Sequence, residues 1–256
     1  MEHTTAKNNH MTFTDTALTY LDFAQEALTE VLWPTRCVLC DEPGVLLCET
    51  CQDNLEFIDF YHRCPCCGAP WGGIQCTECN PVILNQFGLR KPPFSACVSV
   101  LHFTSSTARI VRSFKDQNEQ RLGKIIASYM KDILPPSWFL PPTPSITFIP
   151  ATKKAFRRRG FDHSELIAQN LACATGVPLL PLFERPLSKD QRTLNRQQRI
   201  VNIENRFTLL EPKNIPPRVL LVDDVYTTGA TLYAASQTLK EGGCKEIFCI
   251  TFARVW

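Results

Sequence analysis

Two stretches of this chain hold residues whose types and spacing can do chemistry. The first carries four Cys-x-x-Cys pairs, Cys37 with Cys40, Cys48 with Cys51, Cys64 with Cys67 and Cys76 with Cys79. A two-residue spacer lets both thiolates of a pair reach one ion, and two pairs complete a tetrahedral zinc site. Seven residues separate Cys40 from Cys48 and eight separate Cys67 from Cys76, so two structural Zn2+ are expected. Redox dithiols or disulfides are the competing reading. In "CPCC" the neighbouring Cys66 is available too, but Cys64 and Cys67 keep the spacing. An all-thiolate set leaves no coordination position for water, which argues against a catalytic zinc. Spacing leaves open whether the pairs coordinate in sequence or crossed.

The second stretch is "VLLVDDVYTTGATL", residues 219–232, an apolar run that ends in paired carboxylates and continues into hydroxyls and small residues. An Asp-capped helix explains one Asp or Thr but not this set. At the carboxyl end of a parallel strand, loops open onto the crevice where α/β sheets bind ligands. The amides of Thr227, Thr228, Gly229, Ala230 and Thr231, with the helix that follows, form a nest for an anion. Asp223 and Asp224 would repel that anion and must meet something neutral or cationic, such as vicinal sugar hydroxyls with or without Mg2+. The ligand inferred from the residues is a 5-phosphorylated ribose.

The elements that must position these groups follow from periodicity. "FSACVSVLHF" reads as a strand, followed by a helix through Ile110, Val111 and Phe114. Leu122, Ile125, Ile126, Tyr129, Met130 and Ile133 mark a second helix. The stretch "LPPSWFLPPTPS" reads as an irregular surface connection. "ITFI" is a buried strand, a helix runs from about Ser164 to the cap at Gly176, and "RVLLVDDV" is another strand. Leu232, Ala235 and Leu239 mark a helix ending at Gly242 and Gly243, and "EIFCITF" is the last strand. Alternating strands and helices predict an α/β parallel sheet. Ahead of it, Ala17, Leu21, Ala24, Leu28 and Val31 predict an amphipathic helix. The expected domains are that helix over 1–33, a cysteine module over 34–82 and the α/β domain over 94–256.

Composition narrows the class. With 256 residues, 44% hydrophobic, 20% charged and a net charge of +2, the chain reads as globular, and the charge does not announce a whole-protein nucleic-acid binder. The start has no charge-free apolar segment and no run approaches a membrane span, so a cytoplasmic protein is expected. In that compartment thiols stay reduced, which favours metal over disulfides. Lys153, Lys154, Arg157, Arg158 and Arg159 place five cations in seven residues after "ITFI". That run is read either as a solvated surface loop, as a phosphate-holding segment, or as a nucleic-acid contact.

Val222 to Thr231 resembles the phosphoribosyl pyrophosphate (PRPP) loop of type I phosphoribosyltransferases, and with the cysteine module in front the chain resembles the ComF/GntX family, including the competence proteins of DNA uptake. The resemblance spans roughly residues 33 to 254. It includes Lys115 in "RSFKD", the segment "IPATKKAFRRRGFDHSELIAQNLA", and Gln191, Leu194, Arg199 and Asn202 in "QRTLNRQQRIVNIENRF". Where the family usually reads Arg-Gly-Phe-Asn-Gln, this chain has Arg159, Gly160, Phe161, Asp162 and His163. The resemblance implies that Asp223 and Asp224 hold the ribose hydroxyls and are the catalytic groups. It implies that Thr227 to Thr231 hold the 5-phosphate, and that Ala151, Thr152, Lys153, Lys154 and Arg159 lie at the pyrophosphate, which Mg2+ accompanies. It also implies single-stranded DNA or DNA-processing competence proteins as partners. Two readings follow: a PRPP-binding protein acting in DNA uptake, or an active phosphoribosyltransferase of nucleotide metabolism whose acceptor is not named by the sequence.

Overall fold

The computed structural model describes residues 34–187 and 207–256. The helix expected over 1–33, and Gln191, Leu194, Arg199 and Asn202, lie outside the described residues. The chain divides into two compact units, Met1–Gln52 and Asp53–Trp256. The division falls between the first four zinc-spaced cysteines and the second four.

In the first unit, backbone bonds from Cys37 to the Glu42 carbonyl (2.7 Å) and from Val38 to Leu46 (2.9 Å) fold the chain into a tight knuckle. Helix α1 (Glu49–Asp53) begins at its end. In the second unit, the second cysteine set leads into the short helix α2 (Pro81–Asn85). Asn80 caps α2 by accepting the Val82 and Ile83 amides at 2.9 and 3.1 Å.

Four strands follow: β1 (Ala96–His102), β2 (Ser145–Phe148), β3 (Arg218–Tyr226) and β4 (Glu246–Arg254). They form one sheet in the order β1-β4-β3-β2, and every pairing is parallel. β3 and β4 occupy the centre and are buried almost end to end, so both faces must be covered. Helices α3 (Ser105–Asp116) and α4 (Leu122–Ile133) connect β1 to β2. Helices α5 (Lys153–Arg159) and α6 (His163–Thr175) follow β2, and α7 (Ala230–Glu241) joins β3 to β4. Val219 and Leu221 of β3 and Ile247 and Cys249 of β4 share a core with Leu232, Ala235 and Leu239 of α7. Leu220, Val222 and Ile250, alternating with them, are equally buried.

Two segments differ from the sequence reading. The basic run is a helix, because the Thr152 hydroxyl accepts the Ala155 amide at 3.2 Å to start it and Gly160, at φ 79°, ends it. Within the proline-rich connection, Pro136–Phe139 forms one 3-10 turn that buries Trp138, whose ring stacks on Phe248 with centroids 4.6 Å apart. A single turn suits this segment because Pro136, at its start, needs no amide donor.

Candidate functional site

All thirteen cysteines are free thiols in the structure. Cys37, Cys40, Cys48 and Cys51 converge, as do Cys64, Cys67, Cys76 and Cys79, each set with its sulfurs within 4.8 Å of one another. The pairs therefore group in sequence rather than crossed, and Cys66 stands outside the second set. Sulfur separations of 3.5 Å for Cys40 with Cys48, 3.7 Å for Cys64 with Cys79 and 3.5 Å for Cys67 with Cys76 are too long for disulfides. They match the edge of about 3.8 Å that a tetrahedron with Zn–S bonds of about 2.3 Å requires. The Cys48 amide donates to the Cys37 sulfur at 3.5 Å and the Glu78 amide to Cys76 at 3.4 Å, bonds that favour the thiolate a metal needs. At Cys37 burial works upward, but the amide donors outweigh it and bring its pKa to about 6. Both clusters fit structural zinc.

The carboxyl end of β3 carries the second constellation. Asp223 and Asp224 are 8% and 5% exposed. Two helices converge on them. Lys115, from the last turn of α3, pairs with Asp224. His163 Nε2, at the start of α6, lies 3.6 Å from the other Asp224 oxygen. The Ser164 hydroxyl donates to Asp223 at 3.2 Å, and the Asp224 amide donates to the same oxygen at 2.9 Å. Burial acts to raise both carboxyls. At Asp224 the Lys115 charge and His163 outweigh it and hold the carboxyl well below the usual aspartate range. At Asp223 the charge of Asp224 adds to burial and pushes it well above that range. The pair thus holds one settled anion and one carboxyl waiting for a hydroxyl or a cation. His163 with the two aspartates also forms the third group among the described residues able to surround a metal ion.

Past Tyr226 the chain turns through exposed Thr227 and Thr228 to Gly229 at φ 77°. Gly229 is the N-cap of α7 and offers no side-chain cap; of the first-turn amides, that of Ala230 reaches the Thr228 hydroxyl only at 3.5 Å. A Cβ on Gly229 would lie 2.7 Å from Cζ of Tyr226, and this close approach together with the left-handed φ requires glycine.

The basic residues divide. Arg159 bonds Asp116 at 3.2 Å and His163 Nδ1 at 3.2 Å. With Lys115, Asp116, Asn118 and Arg158 it lines a cleft of about 380 Å3; Lys115 is paired with Asp224, and the two arginines share the single carboxylate of Asp116, an excess of positive charge that suits an anion. Lys153 and Lys154 are exposed on α5 and do not line it. The Ala151 amide is occupied by Asp162 at 2.7 Å, and Thr152 caps α5. Asp162 also accepts the Ser164 and Glu165 amides at 3.2 and 3.3 Å and pairs with Arg185, so its role here is to fix the start of α6. Sequence reasoning missed Asn118, and it missed Ser164 and the approach of His163 to Asp224; no local pattern marks the last two, because Asp223 and Asp224 are distant in the chain.

Comparison with known proteins separates the cysteine-rich region from the sheet domain. Residues 28–80 match the model of the double zinc ribbon domain, and residues 158–255 match that of the phosphoribosyl transferase domain. Competence protein F of Haemophilus influenzae is 29% identical over 78% of this chain and 87% of its own length. Competence protein ComFC of Bacillus subtilis is 28% identical over 84% and 85%. DNA utilization protein YhgH of Salmonella typhi is 28% identical over 85% and 96%. Among solved structures, a hypoxanthine phosphoribosyltransferase from Trypanosoma cruzi aligns with a TM-score of 0.33 at 15% identity over 55% of this chain and 69% of that one. The fold is that of a parallel α/β domain of phosphoribosyltransferase type behind a cysteine-rich zinc-ribbon region.

Two outcomes are expected. Elemental analysis returns about two zinc per chain; Cys67→Ser lowers this by one and Cys66→Ser leaves it unchanged. Urea unfolding at pH 7 separates the aspartates. Asp224→Asn costs about 3 kcal/mol because Lys115 loses its partner, whereas Asp223→Asn stabilises by about 1 kcal/mol because a raised carboxyl costs stability above its unfolded pKa. Below the ordinary value of 3.8 the Asp223→Asn gain vanishes. The Asp224 contribution, present above 3.8, is lost as pH falls through its lowered folded value.

Proposed function

We propose, from the premise that this chain belongs to the ComF family of double-zinc-ribbon, phosphoribosyltransferase-like proteins, that it binds PRPP at the end of β3 and acts in handling single-stranded DNA during uptake. The observation that carries PRPP binding is the pairing of the buried Asp223 and Asp224 with an uncapped α7 start behind the left-handed Gly229. The 5-phosphate takes the amides of Thr228 to Thr231 and the hydroxyls of Thr227, Thr228 and Thr231. The ribose hydroxyls take the carboxylates, Asp224 accepting as the settled anion and Asp223 sharing its proton. The pyrophosphate faces the cleft of Lys115, Arg158 and Arg159. Mg2+, a hard ion that prefers oxygen and keeps its waters, would neutralise that pyrophosphate. Lys115 already neutralises Asp224, which suits a cation that arrives with the ligand better than one resident on the pair.

The DNA role rests on the relatives' names, a competence protein and a DNA utilization protein, and on a surface beside the second cysteine set. Tyr61 and Trp71 are 87% and 61% exposed. Trp71 holds φ 59°, rare for a bulky residue, and such strain is kept where structure around it demands that placement. His62 lies against its ring at 5.6 Å and Arg63 sits 4.1 Å over Phe60. Aromatic faces mixed with cations suit stacking on unpaired bases. The work belongs to the cytoplasm. Transfer of the phosphoribosyl group is the second reading, favoured by the settled Asp224 anion. As pyrophosphate leaves the anomeric carbon, positive charge spreads over that carbon and the ring oxygen, and the carboxylate stabilises it.

Calorimetry is expected to show Mg2+-dependent PRPP binding that Asp223→Ala/Asp224→Ala abolishes; unchanged affinity would remove the site assignment. Release of pyrophosphate from PRPP on adding candidate bases or DNA decides for transfer, and its absence for binding alone. Tyr61→Ala/Trp71→Ala is expected to weaken an oligothymidine complex by about tenfold or more. Equal affinity would place DNA contact elsewhere.

A further inference from the structure

Arg254, the last residue of β4, is 0% exposed and touches neither the acidic pair nor the cleft. A guanidinium presents five N–H donors and cannot shed its charge, so its burial needs partners. One edge meets the second cysteine set: Nη1 donates to the Cys67 carbonyl at 2.7 Å, and Nη2 faces the Cys67 sulfur at 3.8 Å and the Glu78 carboxylate at 3.4 Å. Its plane covers the Tyr226 ring, 3.7 Å from the centroid. Tyr226 is the last residue of β3, directly ahead of the phosphate loop, and its hydroxyl meets that of Tyr233 at 3.1 Å. Gly229 lies against both rings, since a Cβ there would stand 2.7 Å from Cζ of Tyr226 and 3.0 Å from Cζ of Tyr233. Phe87, just beyond α2, packs edge-on against Tyr233 at 5.1 Å. The second ribbon is also tied to the sheet itself, the Cys97 amide donating to the Cys66 carbonyl at 2.8 Å.

Metal loading changes what Arg254 meets. A zinc-bound Cys67 is a thiolate, an anionic acceptor for a guanidinium N–H, whereas a free thiol is a weak one. We propose that the second zinc centre, acting through Arg254 and Tyr226, holds the phosphate loop in its binding shape, so that zinc retention at Cys64, Cys67, Cys76 and Cys79 and ligand binding at Thr227 to Thr231 reinforce each other. Arg254 and Tyr226 are positioning residues in this scheme. The identity of the ligand rests on the PRPP reading; the link between metal and loop does not. Because such coupling is reciprocal, a ligand at the loop must tighten the zinc as much as the zinc tightens the ligand.

The full zinc-loaded chain tests this in two ways. Zinc release to a chromogenic chelator is followed with and without Mg2+ and PRPP, and one of the two zincs is expected to leave about tenfold more slowly with PRPP, a coupling of ordinary size. Arg254→Met is expected to keep both zincs and PRPP binding while losing that protection. Amide hydrogen exchange over residues 226–233 is then compared between the native chain and Cys76→Ser, which is expected to exchange about tenfold faster there. Cys40→Ser, which removes a ligand of the first site, serves as the matched control and is expected to exchange as the native chain does. The proposal is overturned if PRPP binds and both zincs leave at unchanged rates, if Cys76→Ser leaves the exchange unaltered, or if Cys40→Ser raises it equally. Faster exchange in Cys76→Ser with no PRPP binding overturns the PRPP reading alone.

Discussion

Two adjacent carboxylates buried at the end of a central strand are the constraint around which this molecule is arranged. Taking a charge out of water costs several kcal/mol even after relaxation, and two neighbouring like charges compound it. The fold meets this by bringing one cation, one imidazole and one hydroxyl from α3 and α6 onto the pair. Each arrives from the end of a helix: Lys115 from the last turn of α3, His163 and Ser164 from the first turn of α6. Asp162 in turn fixes that first turn by capping it. The compensation is deliberately incomplete in physical terms, since Asp223 keeps a raised affinity for protons. A site that satisfied both carboxyls internally would be more stable and would have nothing left to offer a ligand.

What could be read from the chain and what could not divides along the range of the interactions. The α4 stripe and the β3 run are local periodicities, and the structure places α4 at Leu122–Ile133 and β3 at Arg218–Tyr226. Cysteine spacing is local too, and it announced the two metal clusters while leaving their grouping open, because sequential and crossed sets have identical spacings. The helical state of the basic run was missed: five cations repel one another, and the signals that outweigh this, the Thr152 cap and the Gly160 stop, are single residues easily passed over. Lys115 with Asp224, Ser164 with Asp223 and Arg254 with Cys67 join segments far apart in the chain. No window of sequence contains both members of such a pair.

The cysteine-rich region shows how composition and packing can partition a chain differently. By composition it is one stretch, with nine cysteines between Cys37 and Cys79. By contacts, the second cluster belongs to the same compact unit as the sheet. Cys64 and Cys67 lie in one core with Cys97 of β1 and Tyr226 of β3, and Gly68, at φ 70°, lets the knuckle backbone approach Val98 so closely that a Cβ would stand 3.2 Å from its Cα. A metal knuckle has few apolar side chains to bury, and metal is what lets so small a loop hold a shape. A knuckle seated on a sheet acquires a second use, because its rigidity is available to whatever leans on it.

That availability bears on the phosphate loop, whose chemistry demands a conformation the chain does not favour by itself. Anion binding at α7 needs amides left uncapped, and close approach needs a left-handed residue with no side chain. Both features remove stabilising contacts from the loop, since an ordinary helix start would recruit a side-chain cap worth about 1 kcal/mol. The loop must therefore be shaped from behind, by groups that do not compete for the ligand. Tyr226 and Tyr233 do this with their rings and with hydroxyls that meet each other. Aromatic rings resist compression but can slide, so they in turn require an anchor. Arg254 supplies one by lying across the Tyr226 ring while its guanidinium edge is held by Cys67 and Glu78.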